Sequence, residues 1–122
     1  MDDTTTTKSH PDEEVAGSEY ANVTNFQPTV WDLKIIFGEL TANHHGVDWH
    51  TAITLPWAQA KLMSYFLQIN IAAQEASEGK IKIPERMIPA LPPQPQGGEN
   101  DTVEQKIFQV IAEHHKRFME SI

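Results

Sequence analysis

The chain contains no cysteine, which removes disulfides, thiolate nucleophiles and thiolate metal sites while leaving the redox compartment open. It is also short of positive charge. Against 17 Asp and Glu stand 9 Lys and Arg, and the formal charge of −8 repels phosphate backbones and anionic lipid surfaces. Long apolar runs are missing too. The most apolar stretch, residues 62–73, is broken by Ser64, Gln68 and Asn70 and falls short of the ~20 residues a bilayer span needs. The acidic opening Met1-Asp2-Asp3-Thr4 lacks the basic and then apolar pattern of a secretory signal. A soluble cytoplasmic protein with no membrane partner is the expectation, and nucleic acid is not an expected partner. A Gly-rich phosphate loop, a nucleophile elbow and a Cys/His pair are all absent.

What remains is a pattern of α+β type. Residues 1–17 hold Thr4-Thr5-Thr6-Thr7, Pro11 and a cluster of acids with almost no large apolar side chains; nothing there offsets the entropy of ordering, so a disordered acidic tail is expected. Residues 18–84 read as the core domain. A first strand is predicted over residues 20–26, ending at Gln27-Pro28, and a second over 30–40, where Trp31, Leu33, Ile35 and Phe37 share one face by period two. After a loop over residues 41–46, a third strand over 47–55 places Val47, Trp49, Thr51, Ile53 and Leu55 together. The short connections argue for an antiparallel meander, with Trp31 and Trp49 as core aromatics.

Pro56 suits the first turn of a helix, and residues 57–77 are free of Pro and Gly, with Gly79 closing the run. The resulting fold is an antiparallel meander of three to four strands packed on one long helix. The helix is apolar on two sides: Leu62, Phe66, Ile69, Ala73 and Ala76 form one stripe, and Met63, Leu67 and Ile71 a second. One small sheet covers a single side, so the second stripe is expected to meet another copy of the chain, most simply in a homodimer, with cover by the C-terminal helix of the same chain as the alternative. A folded unit near 65 residues is also of a size at which association commonly supplements a marginal core. Lys80-Ile81-Lys82-Ile83 is a candidate fourth, edge strand.

Residues 85–100, with Pro89, Pro92, Pro93, Pro95 and Gly97-Gly98, read as a semi-rigid linker. Its PxxP spacings also fit polyproline docking, though a spacer is the simpler use. Residues 101–122 form a C-terminal amphipathic helix, capped by Asp101 or Thr102, with Val103, Ile107, Ile111, His114, Phe118 and Ile122 on one face. Tethered by the linker, this helix is the candidate for engaging another protein.

The middle of the chain resembles DUF3467, a family of small uncharacterised bacterial and archaeal proteins. The resemblance rests on Tyr20-Ala21-Asn22, Asp32 with Phe37-Gly38, Pro56, Ala60-Lys61-Leu62, Glu75, Gly79 and Ile81, across residues 19–84. Relatives usually place serine before the helix-opening proline, where this chain has Leu55, so that hydroxyl cap falls to Thr54 or is missing. The family has no assigned reaction, and the resemblance implies no catalytic residue and no cofactor.

Three chemical readings compete. The one preferred is a non-catalytic adaptor or assembly module acting as a homo-oligomer, with Met63, Leu67, Ile71, Ile107, Ile111, His114 and Phe118 at its partner surfaces. The second is a metal-binding protein or metal-dependent enzyme using His44, His45, Asp48 and His50, since imidazole and carboxylate suit zinc; the spacing matches no established site, and polar decoration of a loop explains it as well. The third is a nucleic-acid-associated factor, requiring Lys61, Lys80, Lys82, Arg86, Lys116 and Arg117 to gather on one face against the net charge. Asp32 and Lys34 with Lys61 are too ordinary a set to carry proton transfer.

Overall fold

The computed structural model describes residues 17–43, 45–96 and 102–122. Three strands, β1 (Val23–Pro28), β2 (Asp32–Leu40) and β3 (Val47–Pro56), precede the long helix α1 (Trp57–Glu78); a 3₁₀ turn at Glu85–Met87 and a final helix α2 (Val103–Ser121) follow. The strands form one antiparallel sheet in the order β1-β2-β3, which with the two helices makes the α+β fold expected from the sequence. The chain divides into two compact units, Met1–Tyr65 and Phe66–Ile122, so the division falls inside α1.

In the first unit the register explains which side chains meet. Ile35 on the central strand lies between Phe26 and Ile53, Leu33 between Pro28 and Leu55, and Phe37 between Thr24 and Thr51. Directly opposed residues share a face of a sheet, so these nine form one largely apolar surface. Its centre, Ile35, is 2% exposed and is the one fully buried apolar side chain among the described residues.

Two expectations about tryptophan are corrected. Trp31 does not enter β2; it stands at the tip of the β1–β2 turn, 83% exposed. Thr29 ends the strand by accepting at Oγ1 from the backbone N–H groups of Trp31 and Asp32, and its hydroxyl donates to the Asp32 carboxylate at 2.9 Å. Such hydroxyl-to-backbone bonds compete with ladder pairing and favour a turn. Trp49 is displaced by a register shift: Phe37 pairs with Thr51, but the next residue, Gly38, pairs with Trp49, leaving His50 as an extra residue on β3. A bulge of this kind turns the following side chains over. Thr51, Ile53 and Leu55 therefore keep the Ile35 face, while Val47 and Trp49 go to the other.

The bulge explains Gly38. A Cβ there would lie 2.7 Å from Val47 Cγ1, 2.8 Å from Trp49 Cε3 and 2.9 Å from the Asp48 carbonyl oxygen. Only glycine lets the indole lie across the central strand. The remaining connections are closed locally. Thr41 N–H donates to the Gly46 carbonyl across the β2–β3 loop at 2.9 Å, and Trp57 Nε1 donates to the Thr29 carbonyl at 3.0 Å, tying the start of α1 to the first turn.

The second unit holds the end of α1, the proline-rich stretch and α2. Residue 79 adopts φ 92°, open to glycine, and its N–H donates to the Glu75 carbonyl at 2.9 Å, ending the helix. The Glu75 carboxylate then accepts the Ile81 N–H at 3.0 Å, which commits the backbone after the helix to a local contact. Residues 80–83 accordingly form no fourth strand.

The stretch expected to act as a spacer runs along α2. Prolines lack N–H groups, so their segment offers carbonyls that need outside donors. Gln105 Nε2 supplies one to Pro95 at 3.1 Å, and a His115 ring nitrogen another to Pro89 at 2.9 Å. The spans agree: six residues of extended polyproline chain cover about 19 Å, and ten residues of helix about 15 Å. Gln105 is only 5% exposed as a result. Thr102 caps α2 by accepting the Gln105 N–H at 3.1 Å. Replacing Thr102 with Ala is expected to cost about 1 kcal/mol, measured as a lower urea midpoint by far-ultraviolet circular dichroism.

Candidate functional site

α1 is the largest unfilled surface. It buries none of its 22 residues; Ala60, Met63 and Glu75 are half-buried and the rest exposed. Both predicted stripes are open, Leu62 and Ile69 on one, Leu67 and Ile71 on the other, with Leu67 at 52% exposure. Of the three partner residues expected here, Leu67 is exposed, Ile71 is exposed but also lines a hollow with Phe118 of α2, and Met63 is half-buried.

α2 presents a second apolar surface, and its covered side differs from the expected one. The half-buried or buried residues are Gln105, Phe108, Ala112, His115 and Phe118. The stripe Val103, Ile107, Val110 and Ile111 faces outward, with Ile107 at 54% exposure. His114 is exposed and bonds the Val110 carbonyl one turn back at 2.8 Å. Phe118, expected beside Ile107 and Ile111, instead lines a hollow of about 240 Å³ with Ile71, Glu75, Ile81, Ile83 and Ile122. The signal missed in the sequence was Gln105 and His115, polar residues at i and i+10 whose donors match carbonyls of a proline segment.

Of the histidine cluster, His45, Asp48 and His50 are described and take separate tasks. His44 lies outside the described residues. The His45 N–H closes the loop on Asn43 Oδ1 at 3.1 Å, and Asp48 pairs with Glu39 across the sheet. His50 is occupied at both ring nitrogens: Nε2 is 2.9 Å from the Tyr20 carbonyl and Nδ1 is 2.7 Å from Thr51 Oγ1. A carbonyl only accepts, so Nε2 carries a proton and has no lone pair for a metal. Among the described residues no group of three or more His, Cys, Asp or Glu is placed to hold a metal ion. A hollow of about 200 Å³ beside His50, lined by Glu19, Ala21, Phe37, Thr51 and Ile53, is smaller than the roughly 300 Å³ at which small-molecule sites begin. The Asp32 carboxylate accepts from the Thr29 hydroxyl at 2.9 Å, within the first turn. No helix among the described residues is long and apolar enough to cross a membrane.

The residues that carried the family resemblance have backbone tasks. Asn22 Oδ1 accepts the Leu40 N–H at 3.0 Å, Asp32 closes the first turn, Gly38 admits Trp49, and Glu75 with Gly79 and Ile81 ends α1. The family model described as "Protein of unknown function (DUF3467)" matches residues 2–83. The chain belongs to the DUF3467 family. The match takes in the sheet and all of α1, while α2 lies beyond it. No curated protein and no solved structure matches this DUF3467 chain.

Proposed function

We propose that this DUF3467 protein is a non-catalytic, cytoplasmic adaptor or assembly module that acts as a homo-oligomer and binds another protein through α2. The observation that carries the reading is the imbalance of apolar surface: one fully buried apolar side chain among the described residues, against a 22-residue helix with none.

The two open surfaces receive different tasks. α1 is the self-association element, because it buries none of its 22 residues. The outward stripe of α2 is narrow and rimmed by Glu104, Lys106 and the Glu113–Arg117 ion pair, the arrangement of an amphipathic helix that docks in a groove. Replacing Ile107 and Ile111 together with Asp is expected to abolish capture of partner protein from host lysate while leaving native mass unchanged. Capture that survives the double substitution removes the role assigned to α2.

A further inference from the structure

The proline segment that follows the 3₁₀ turn is held at its ends and open in its middle. From Ile88 to Pro95 every position but Ala90 is either a proline or the residue before one. A proline ring fixes φ at about −65°, and the residue before it is driven to extended or polyproline backbone. Ile88 conforms, with φ −68° and ψ 123°. α2 then pins both ends, through Gln105 Nε2 on the Pro95 carbonyl and a His115 ring nitrogen on the Pro89 carbonyl. These carbonyls are six residues apart, two turns of a polyproline helix, and so point the same way.

What lies between the two pins is uncovered. Residues 89–94 are all exposed, while Ile88 and Pro95 at the margins are half-buried, and Leu91 is 44% exposed. A segment so restricted has lost much of its conformational freedom before any partner arrives, which removes a cost that binding otherwise carries. Its proline rings and carbonyls suit a groove lined with Trp and Tyr, whose rings pack on proline and whose N–H and O–H groups reach the carbonyls. Arg86, also exposed, stands three residues before Pro89, and residues 88–95 carry no charge. A carboxylate at one end of such a groove would meet Arg86 and fix the direction of docking.

We propose that residues 86–95, braced along α2, are the ligand of a polyproline-reading domain of another protein, one whose aromatic groove carries an acid at one end. The proposal goes beyond the adaptor reading above and does not depend on the outward stripe of α2.

The test titrates the full-length chain into a panel of isolated SH3 and WW domains, whose grooves have this chemistry, by isothermal calorimetry. At least one domain is expected to bind with a micromolar Kd. Replacing Pro92 and Pro93 together with Ala, both at exposed positions, is expected to weaken that binding at least ~10-fold. Arg86→Glu is expected to weaken it about ten-fold and to remove most of its salt dependence. His115→Ala frees one end of the segment and leaves the proline motif intact, so a loss of about three-fold is expected from the lost bracing. The variant with Ile107 and Ile111 both replaced by Asp is expected to bind as wild type does, which keeps this result separate from the role given to the α2 stripe. No binding by any domain of the panel, or undiminished binding when Pro92 and Pro93 are replaced, overturns the proposal; an unchanged Kd for His115→Ala overturns the bracing by α2.

Discussion

Gly38→Ala is expected to lower the thermal midpoint by roughly 4–24 °C, whereas Gly46→Ala leaves it nearly unchanged. The added methyl at position 38 meets two side chains and a backbone carbonyl, all closer than 3.0 Å. The Asp48 oxygen cannot rotate away as a side chain does. Relief requires moving β3 or expelling the Trp49 ring, and overpacking of this kind costs about 1–3 kcal/mol. In a unit of some 65 residues each kcal/mol shifts the midpoint by roughly 4–8 °C. At Gly46 a Cβ meets nothing within 4 Å, so the pair of variants separates steric conflict from the general effect of losing a glycine. Equal midpoints for the two, by differential scanning calorimetry, would contradict the packing assigned to the bulge.

The second large effect concerns α1. Replacing Leu67 and Ile71 together with Asp is expected to weaken self-association at least ~100-fold, since fully burying each aliphatic side chain is worth roughly 1.5–3 kcal/mol. Both residues lie outside the strands, and because Ile71 also lines the hollow against α2, Leu67→Asp alone is measured beside the pair to separate self-association from packing within the chain. At micromolar concentration the variant is expected to run at single-chain mass and to melt at lower temperature and with less cooperativity than wild type, because a small unit stripped of its neighbour keeps only the core around Ile35. Unchanged mass together with an unchanged melt would show that this face of α1 touches nothing.

Much of the fold was legible because its signals are local. Alternation at Leu33, Ile35 and Phe37 marked β2, and the Pro56-to-Gly79 interval bounded α1. What could not be read depends on two strands at once. The bulge opposite Gly38 exists only in the pairing of β2 with β3, so period two along β3 alone put Trp49 on the wrong face. Likewise Trp31 fits a strand by alternation, but the Thr29 hydroxyl accepts the Trp31 and Asp32 N–H groups and folds them into the turn. On α2 the hydrophobic periodicity pointed to Val103, Ile107 and Ile111, which the structure leaves open. The side that docks is chosen by hydrogen bonds from Gln105 and His115 to proline carbonyls, and a scale of apolarity is blind to them. The candidate surfaces were thus found by excess apolarity, and four of the five residues on the docked side of α2, all but Phe118, were missed for the same reason.

The resemblance to DUF3467 is expressed in turns, caps and a close approach of backbone to indole. Asn22, Asp32, Gly38 and Glu75 are each committed to holding chain geometry, which suits a scaffold presenting surfaces. The most direct measurement is the native mass of the full-length wild-type chain by light scattering across micromolar concentrations. A mass of at least twice 13.8 kDa, falling on dilution, is the predicted result. A monodisperse species at 13.8 kDa that still melts cooperatively would contradict it.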